Sequence, residues 1–228
     1  MIEPYPTTSV MDGDILRPLV TTGRRYYILV LFLGLVAGWG LFAWIYQIRN
    51  GMGVAGINNP VFWGLYITNF VFWVGISHSG TMISAILRLT KAEWRYPITR
   101  PAEMMTIFSV AIAGLFPLVH LGRTWLFFYL IPIPNERGLW PSFRSPLVWD
   151  AMAITTYLTG SVLFLYLPLV PDLARYKTRV GILRGFLYRI LSLGWRGTLR
   201  EWRWLQRAAI ILTVVIIPIA VSVHTIVS

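Results

Sequence analysis

Five stretches of this chain stay apolar for the length that a helix needs to cross bilayer hydrocarbon, which is about 20 residues. They cover residues 26–46, 61–87, 102–131, 146–170 and 205–227. Inside hydrocarbon no water satisfies backbone N–H and C=O groups, so such segments cross as helices. The expected fold is therefore an all-α integral membrane protein with five transmembrane helices. Composition agrees: 56% of the 228 residues are hydrophobic and only 13% are charged, far below a soluble domain's usual quarter. The opening residues, MIEPYPTTSVMDGDILRPLV, are polar and lack a basic region followed by an apolar core. They do not read as a cleavable signal peptide, and the first apolar stretch serves as the insertion signal.

Loop charges orient the helices. Lys and Arg number three in the N-terminal tail (Arg17, Arg24, Arg25) and four between the second and third spans (Arg88, Lys91, Arg95, Arg100). Nine more run from Arg175 to Arg207, while the two alternate loops hold only Arg49, Arg137 and Arg144. Sixteen against three puts the N-terminus and residues 1–25 in the cytoplasm. The same asymmetry explains the net charge of +11 as contact with an anionic leaflet and lipids, not with nucleic acid. Between the fourth and fifth spans, GILRGFLYRILSLGWRGTLREWRW spaces Ile182, Phe186, Ile190 and Leu193 at helical intervals among arginines. This pattern predicts a basic amphipathic helix on the membrane surface; a docking surface for a partner is the competing reading. Ending at VHTIVS, without a polar tail, the sequence reads as the N-terminal half of a larger helical bundle, truncated at its C-terminus.

Cysteine is absent, which excludes thiolate-held iron–sulfur clusters, c-type haem attachment and disulfides within this chain. The spans hold few ionisable groups: His78, His120, Arg123, Asp150 and His224. Such groups are costly at bilayer depth, so each is a candidate for function. At about 1.5 Å per residue, His120, Arg123, Asp150 and His224 fall toward the outer face and His78 toward the cytoplasmic one. Pro117 is expected to kink the third span one turn before His120. An imidazole and a carboxylate at one depth suit proton-coupled binding of a quinol head group, whose hydroxyls lose protons as electrons leave. Arg123, three residues after His120, is placed to hold or orient Asp150. Structural alternatives stand beside these roles. Asp150 is near enough a helix start to serve the dipole, Arg123 is long enough to snorkel to headgroups, and His120 or His78 suits interhelical bonding. Glu103 reads as an acid at a helix mouth, Asn69 as interhelical glue, and Trp63, Trp73 and Trp125 as interface and packing aromatics. Two other functions compete: a b-type cytochrome with His120 and His224 as haem ligands, and half of a proton or solute transporter.

Three long strings, NPVFWGLYITNFVFWVGISHSGTMISAILRL, RPAEMMTIFSVAIAGLFPLVHLGRTW and WPSFRSPLVWDAMAITTYLTGSVLFLYLPLVPDLA, resemble the NrfD-like family of polysulfide reductase membrane subunits. Within it the likeness is greatest to the ActC-type quinol-binding subunits of bacterial alternative complex III. The resemblance implies a multi-pass subunit of the bacterial inner membrane that oxidises quinol, menaquinol above all, at the outer face. It implies no haem or cluster in this chain. The expected partners are an iron–sulfur subunit, multi-haem cytochrome c subunits and a homologous second membrane subunit. It assigns His120 and Asp150 to the quinol pocket and implies a proton path from the cytoplasm, for which His78 is the candidate. Arg123 and His224 join the quinol-site candidates from their depth alone. No metal site is expected.

Overall fold

A computed structural model describes residues 22–131, 133–177 and 181–227, apart from the side chains of residues 96, 141, 142 and 223–227. The described chain is helical: α1 Arg24–Asn50, α2 Leu65–Leu89, α3 Tyr96–Val119, α4 Pro146–Tyr176, α5 Ile182–Leu191 and α6 Leu199–Val227. All except the short α5 are long and apolar enough to cross a membrane. Residues 1–21 of the expected N-terminal segment lie outside the described part.

Two units divide the chain, residues 1–54 and 55–228. The first contains α1, which carries Arg24 and Arg25 in its first turn and Arg49 in its last. Gly51, at φ +88°, ends it, a conformation natural only to glycine.

In the second unit, α2, α3, α4 and α6 form a four-helix ring in which α2 meets α3, α3 meets α4, α4 meets α6 and α6 returns to α2. Side-chain pairs give the directions. Ser77 and Ser84 of α2 meet Thr106 and Glu103 of α3, so these two are antiparallel. The α2–α3 contact is the most extensive, and Gly80 permits it: a Cβ there would stand 2.5 Å from the Ala102 carbonyl and from Thr106 Oγ1. Gly114 of α3 faces Ile154 of α4, and Gly160 of α4 faces Ile216 of α6. Phe70, Val74, Val110, Ile154, Tyr157, Phe164 and Ile216 fill the centre. Small residues at such crossings let backbones approach where lipid supplies no hydrophobic drive between helices.

Helix ends follow local chemistry. Ser145 and Pro146 open α4, and Pro97 lies in the first turn of α3, where a missing N–H costs nothing. A capping box opens α6: Thr198 Oγ1 accepts from Glu201 N–H, and the Glu201 carboxylate accepts from Thr198 N–H. The basic segment splits accordingly. The short α5 stops at a turn where Leu193 and Gly194 have φ of +50° and +71°, and Arg200 and Arg203 belong to α6.

The third span differs from its expected extent. Instead of continuing as one helix to residue 131, α3 stops at Val119 with His120 as its C-terminal cap. Pro117 lies in that last turn, Arg123 leaves helical conformation (φ −116°, ψ 78°), and Thr124–Leu130 forms short 3₁₀ turns kinked at Leu126. Hydrophobicity persists through the break, which is why an apolar run hides it.

Candidate functional site

At the end of the ring where α3 stops and α4 begins, His120 is positioned by its own backbone N–H, bonded to the Phe116 carbonyl at 2.8 Å. Its imidazole lies flat on the Trp63 indole, with ring centres 4.0 Å apart and planes within 6°, and Tyr66 meets it edge-on. Trp63 comes from the irregular segment before α2. Gly64, with φ +52°, turns the chain from Trp63 into that helix. Nδ1 of His120 is buried and has no hydrogen-bond partner among the described residues.

Asp150 sits one turn into α4, 8% exposed, with no hydrogen bond or ion pair among the described residues. The Gly114–Ile154 contact sets the register between α3 and α4. His120 is six residues beyond Gly114 and Asp150 four before Ile154, about 9 and 6 Å toward the same end. The two groups thus share a level, on neighbouring helices. Between the chain segments that carry them lies a cavity of about 450 Å³, lined by Leu121, Leu126, Tyr129 and Val148 among others. His120 and Asp150 border its wall residues in sequence and do not themselves line it.

Arg123 does not reach Asp150. It is exposed, and among the described residues it makes no ion pair. The end of α3 explains this, because without a continuing helix Arg123 leaves the face that His120 occupies. His224 is on the last turns of α6, and its side chain lies outside the described residues. Counting from the Gly160–Ile216 contact, its backbone falls at the same end as Asp150.

A second polar cluster starts at mid-bundle and runs through the packed helices toward the opposite end. Tyr157 of α4 is fully buried; its hydroxyl bonds to Thr81 Oγ1 at 2.5 Å and donates to the Ser77 carbonyl at 3.1 Å. His78 stacks on the Tyr157 ring, centres 4.9 Å apart, and its Nδ1 is 2.8 Å from the Val74 carbonyl. One turn further on, Glu103 receives hydrogen bonds from Ser84 Oγ and Arg88 Nη2, each at 2.5 Å, and is 2% exposed. Arg88 also covers the Phe164 ring.

Glu103 is therefore no helix-mouth acid. Because α3 begins at Tyr96, this carboxylate lies in its second turn, facing α2. The sequence offers only a partial signal: Arg88 ends one arm of a helical hairpin, and Glu103 lies seven residues into the other, an offset that the long arginine side chain spans. Two further readings change. Trp63 supports the histidine, and Asn69 bonds to Leu65 O of its own helix instead of a neighbouring one. Among the described residues no cluster of His, Cys, Asp or Glu is grouped to hold a metal.

Comparison with known proteins adds a lineage. A family model described as polysulphide reductase, NrfD, matches residues 53–228. A putative dimethyl sulfoxide reductase membrane subunit of Halobacterium salinarum is 31% identical over 174 residues, covering 75% of this chain and 38% of that protein. The Hdr-like menaquinol oxidoreductase integral membrane subunit of Archaeoglobus fulgidus is 22% identical, covering 62% of this chain and 33% of that protein. A selenate reductase subunit of Mesobacillus selenatarsenatis is 21% identical, covering 88% of this chain and 46% of that protein. The chain thus spans less than half the length of each of these relatives.

Proposed function

Because this chain belongs to the polysulphide reductase NrfD family, we propose that it is a membrane subunit that oxidises quinol within a multisubunit respiratory or photosynthetic complex. The substrate is menaquinol, the molecule in the name of the archaeal oxidoreductase relative. The observation that carries the proposal is the pairing at one end of the ring: an imidazole clamped by Trp63, level with a buried Asp150, with His120 Nδ1 and Asp150 both unpartnered among the described residues.

Oxidising one quinol releases two protons and two electrons. His120 accepts a hydrogen bond and then a proton from one hydroxyl, and Asp150 takes the proton from the other. The ring π-face of Trp63 fixes the imidazole, so little orientational freedom is lost when substrate arrives. In this reading the electrons leave to an iron–sulfur partner that feeds multi-haem cytochrome c subunits. The assembly also includes a second, homologous membrane subunit. Arg123, exposed beside the site, meets headgroups or the partner's surface, and His224, whose backbone falls at this end, is a further candidate for the quinol site.

Charge distribution supports an orientation with the N-terminus in the cytoplasm and the quinol site at the outer face of a bacterial inner membrane. On that orientation α5 lies along the cytoplasmic surface. The second cluster then faces the cytoplasm, and we assign His78, the Tyr157–Thr81 hydroxyl pair and Glu103 to proton movement from that side. The finer placement, on the branch of alternative complex III, rests on the resemblance of the three quoted strings alone.

The test is quinol oxidation by the assembled complex. His120→Ala and Asp150→Asn should each abolish turnover while the subunit still assembles. Full activity in both variants would overturn the assignment.

A further inference from the structure

A cavity outside both polar clusters lies where α4 ends and α6 begins, with a volume of about 410 Å³. This is within the usual size of ligand pockets, about 300–1,000 Å³. Its walls change character along the helices. Leu167, Val170, Leu205 and Ala208 line the part within the spans, while Arg200, Trp195 and Trp204 stand toward the helix ends.

The framework around it is held together by specific bonds. Tyr166 OH donates to the Leu191 carbonyl, and the buried Ser192 donates to that of Arg189 at 2.9 Å, closing the α5 turn onto α4. Glu201 also borders the cavity, but its carboxylate accepts from Arg196 N–H and from Thr198 N–H and Oγ1. These bonds turn the carboxylate toward the cap, while its negative charge stays at the cavity wall next to Arg200 in sequence. Arg200 forms no ion pair among the described residues. Arg189, Arg196, Arg203 and Arg207 lie in the same basic stretch of sequence, and Arg207 lies over the Trp204 ring.

We propose that this pocket is a specific site for one anionic phospholipid, its phosphate against Arg200 and the start of its acyl chains against Leu167, Leu205 and Ala208. Charge complementarity selects an anionic head group. The apolar inner wall selects a molecule with a hydrocarbon tail over a soluble phosphate compound. Trp195 and Trp204 mark the level at which head groups meet acyl chains. The proposal is independent of the quinol reading.

Native mass spectrometry of the full chain, purified in mild detergent, stripped of lipid and titrated with phosphatidylglycerol or phosphatidylcholine of matched chains, tests it. We expect one retained phosphatidylglycerol and no retained phosphatidylcholine. Arg200→Ala should weaken retention about fivefold, the worth of one arginine near an anionic head group. Ala208→Trp, which fills the apolar wall, should weaken it as well. Arg184→Ala removes an equal charge from α5 outside the pocket and should leave retention unchanged, and inorganic phosphate should not compete. Equal retention of both lipids, or equal loss in Arg184→Ala and Arg200→Ala, would show diffuse attraction only and refute the site.

Discussion

Trp63 and His120 lie face to face at 4.0 Å, and such aromatic contacts are worth about 0.5–1.5 kcal/mol beyond area burial. If the indole only packs, its loss lowers stability alone. If it holds the imidazole for proton transfer, Trp63→Ala should lower kcat for quinol by roughly two- to tenfold with KM little changed, and Trp63→Phe should restore most of the rate. Steady-state kinetics on the assembled complex decide. At the other end, Glu103→Gln leaves Arg88 17% exposed and short of its counter-charge. Truncating one member of a buried pair costs about 3–5 kcal/mol, so thermal unfolding in detergent should show a large drop, recovered in part by adding Arg88→Met. His120 and Asp150 are legible in the sequence because a polar group interrupting an apolar run is a local fact. The roles of Trp63 and Glu103 are not, since both depend on which residue of another helix or loop lies opposite. Composition assigns each to the commoner place for its type, an interface aromatic and a helix-start acid.

Among the elements, existence and order of the five long helices follow from run length alone, while their ends do not. The third apolar run stays hydrophobic through Leu130, yet α3 stops at Val119, because Pro117, Gly122 and the backbone of Arg123 decide helicity there and hydrophobicity does not. That early stop sets the cap position of His120 and turns Arg123 away from Asp150. The α2–α3 contact offers a direct check. Gly80→Ala puts a methyl 2.5 Å from the Ala102 carbonyl, a backbone atom with little room to yield. Overpacking of this kind costs about 1–3 kcal/mol, so the variant should melt earlier. Gly75→Ala, at a position open on all sides within 4 Å, should not. Equal melting of the two would mean that the helices separate easily at this crossing.

For the whole molecule, sixteen basic residues alternate against three across successive loops, and the orientation they favour is open to a topological reporter. Alkaline phosphatase fused after Gly138 should be active, and fused after Lys177 inactive; the reverse pattern would invert the assignment of outer and inner ends. The ring itself has a consequence for biogenesis. Its last member, α6, touches both α4 and α2, whereas the other contacts join chain neighbours. While the ribosome is still extending the chain, the α2–α3 hairpin can fold as soon as both arms leave the translocon, locked by Glu103 and Arg88. The flank of α4 that awaits Ile216 must meanwhile face lipid or a chaperone. Arrival of α6 therefore acts as a latch on the ring, and nascent chains stalled before residue 199 should be crosslinkable at Gly160 to an insertion factor, a contact that vanishes once synthesis passes Ile216.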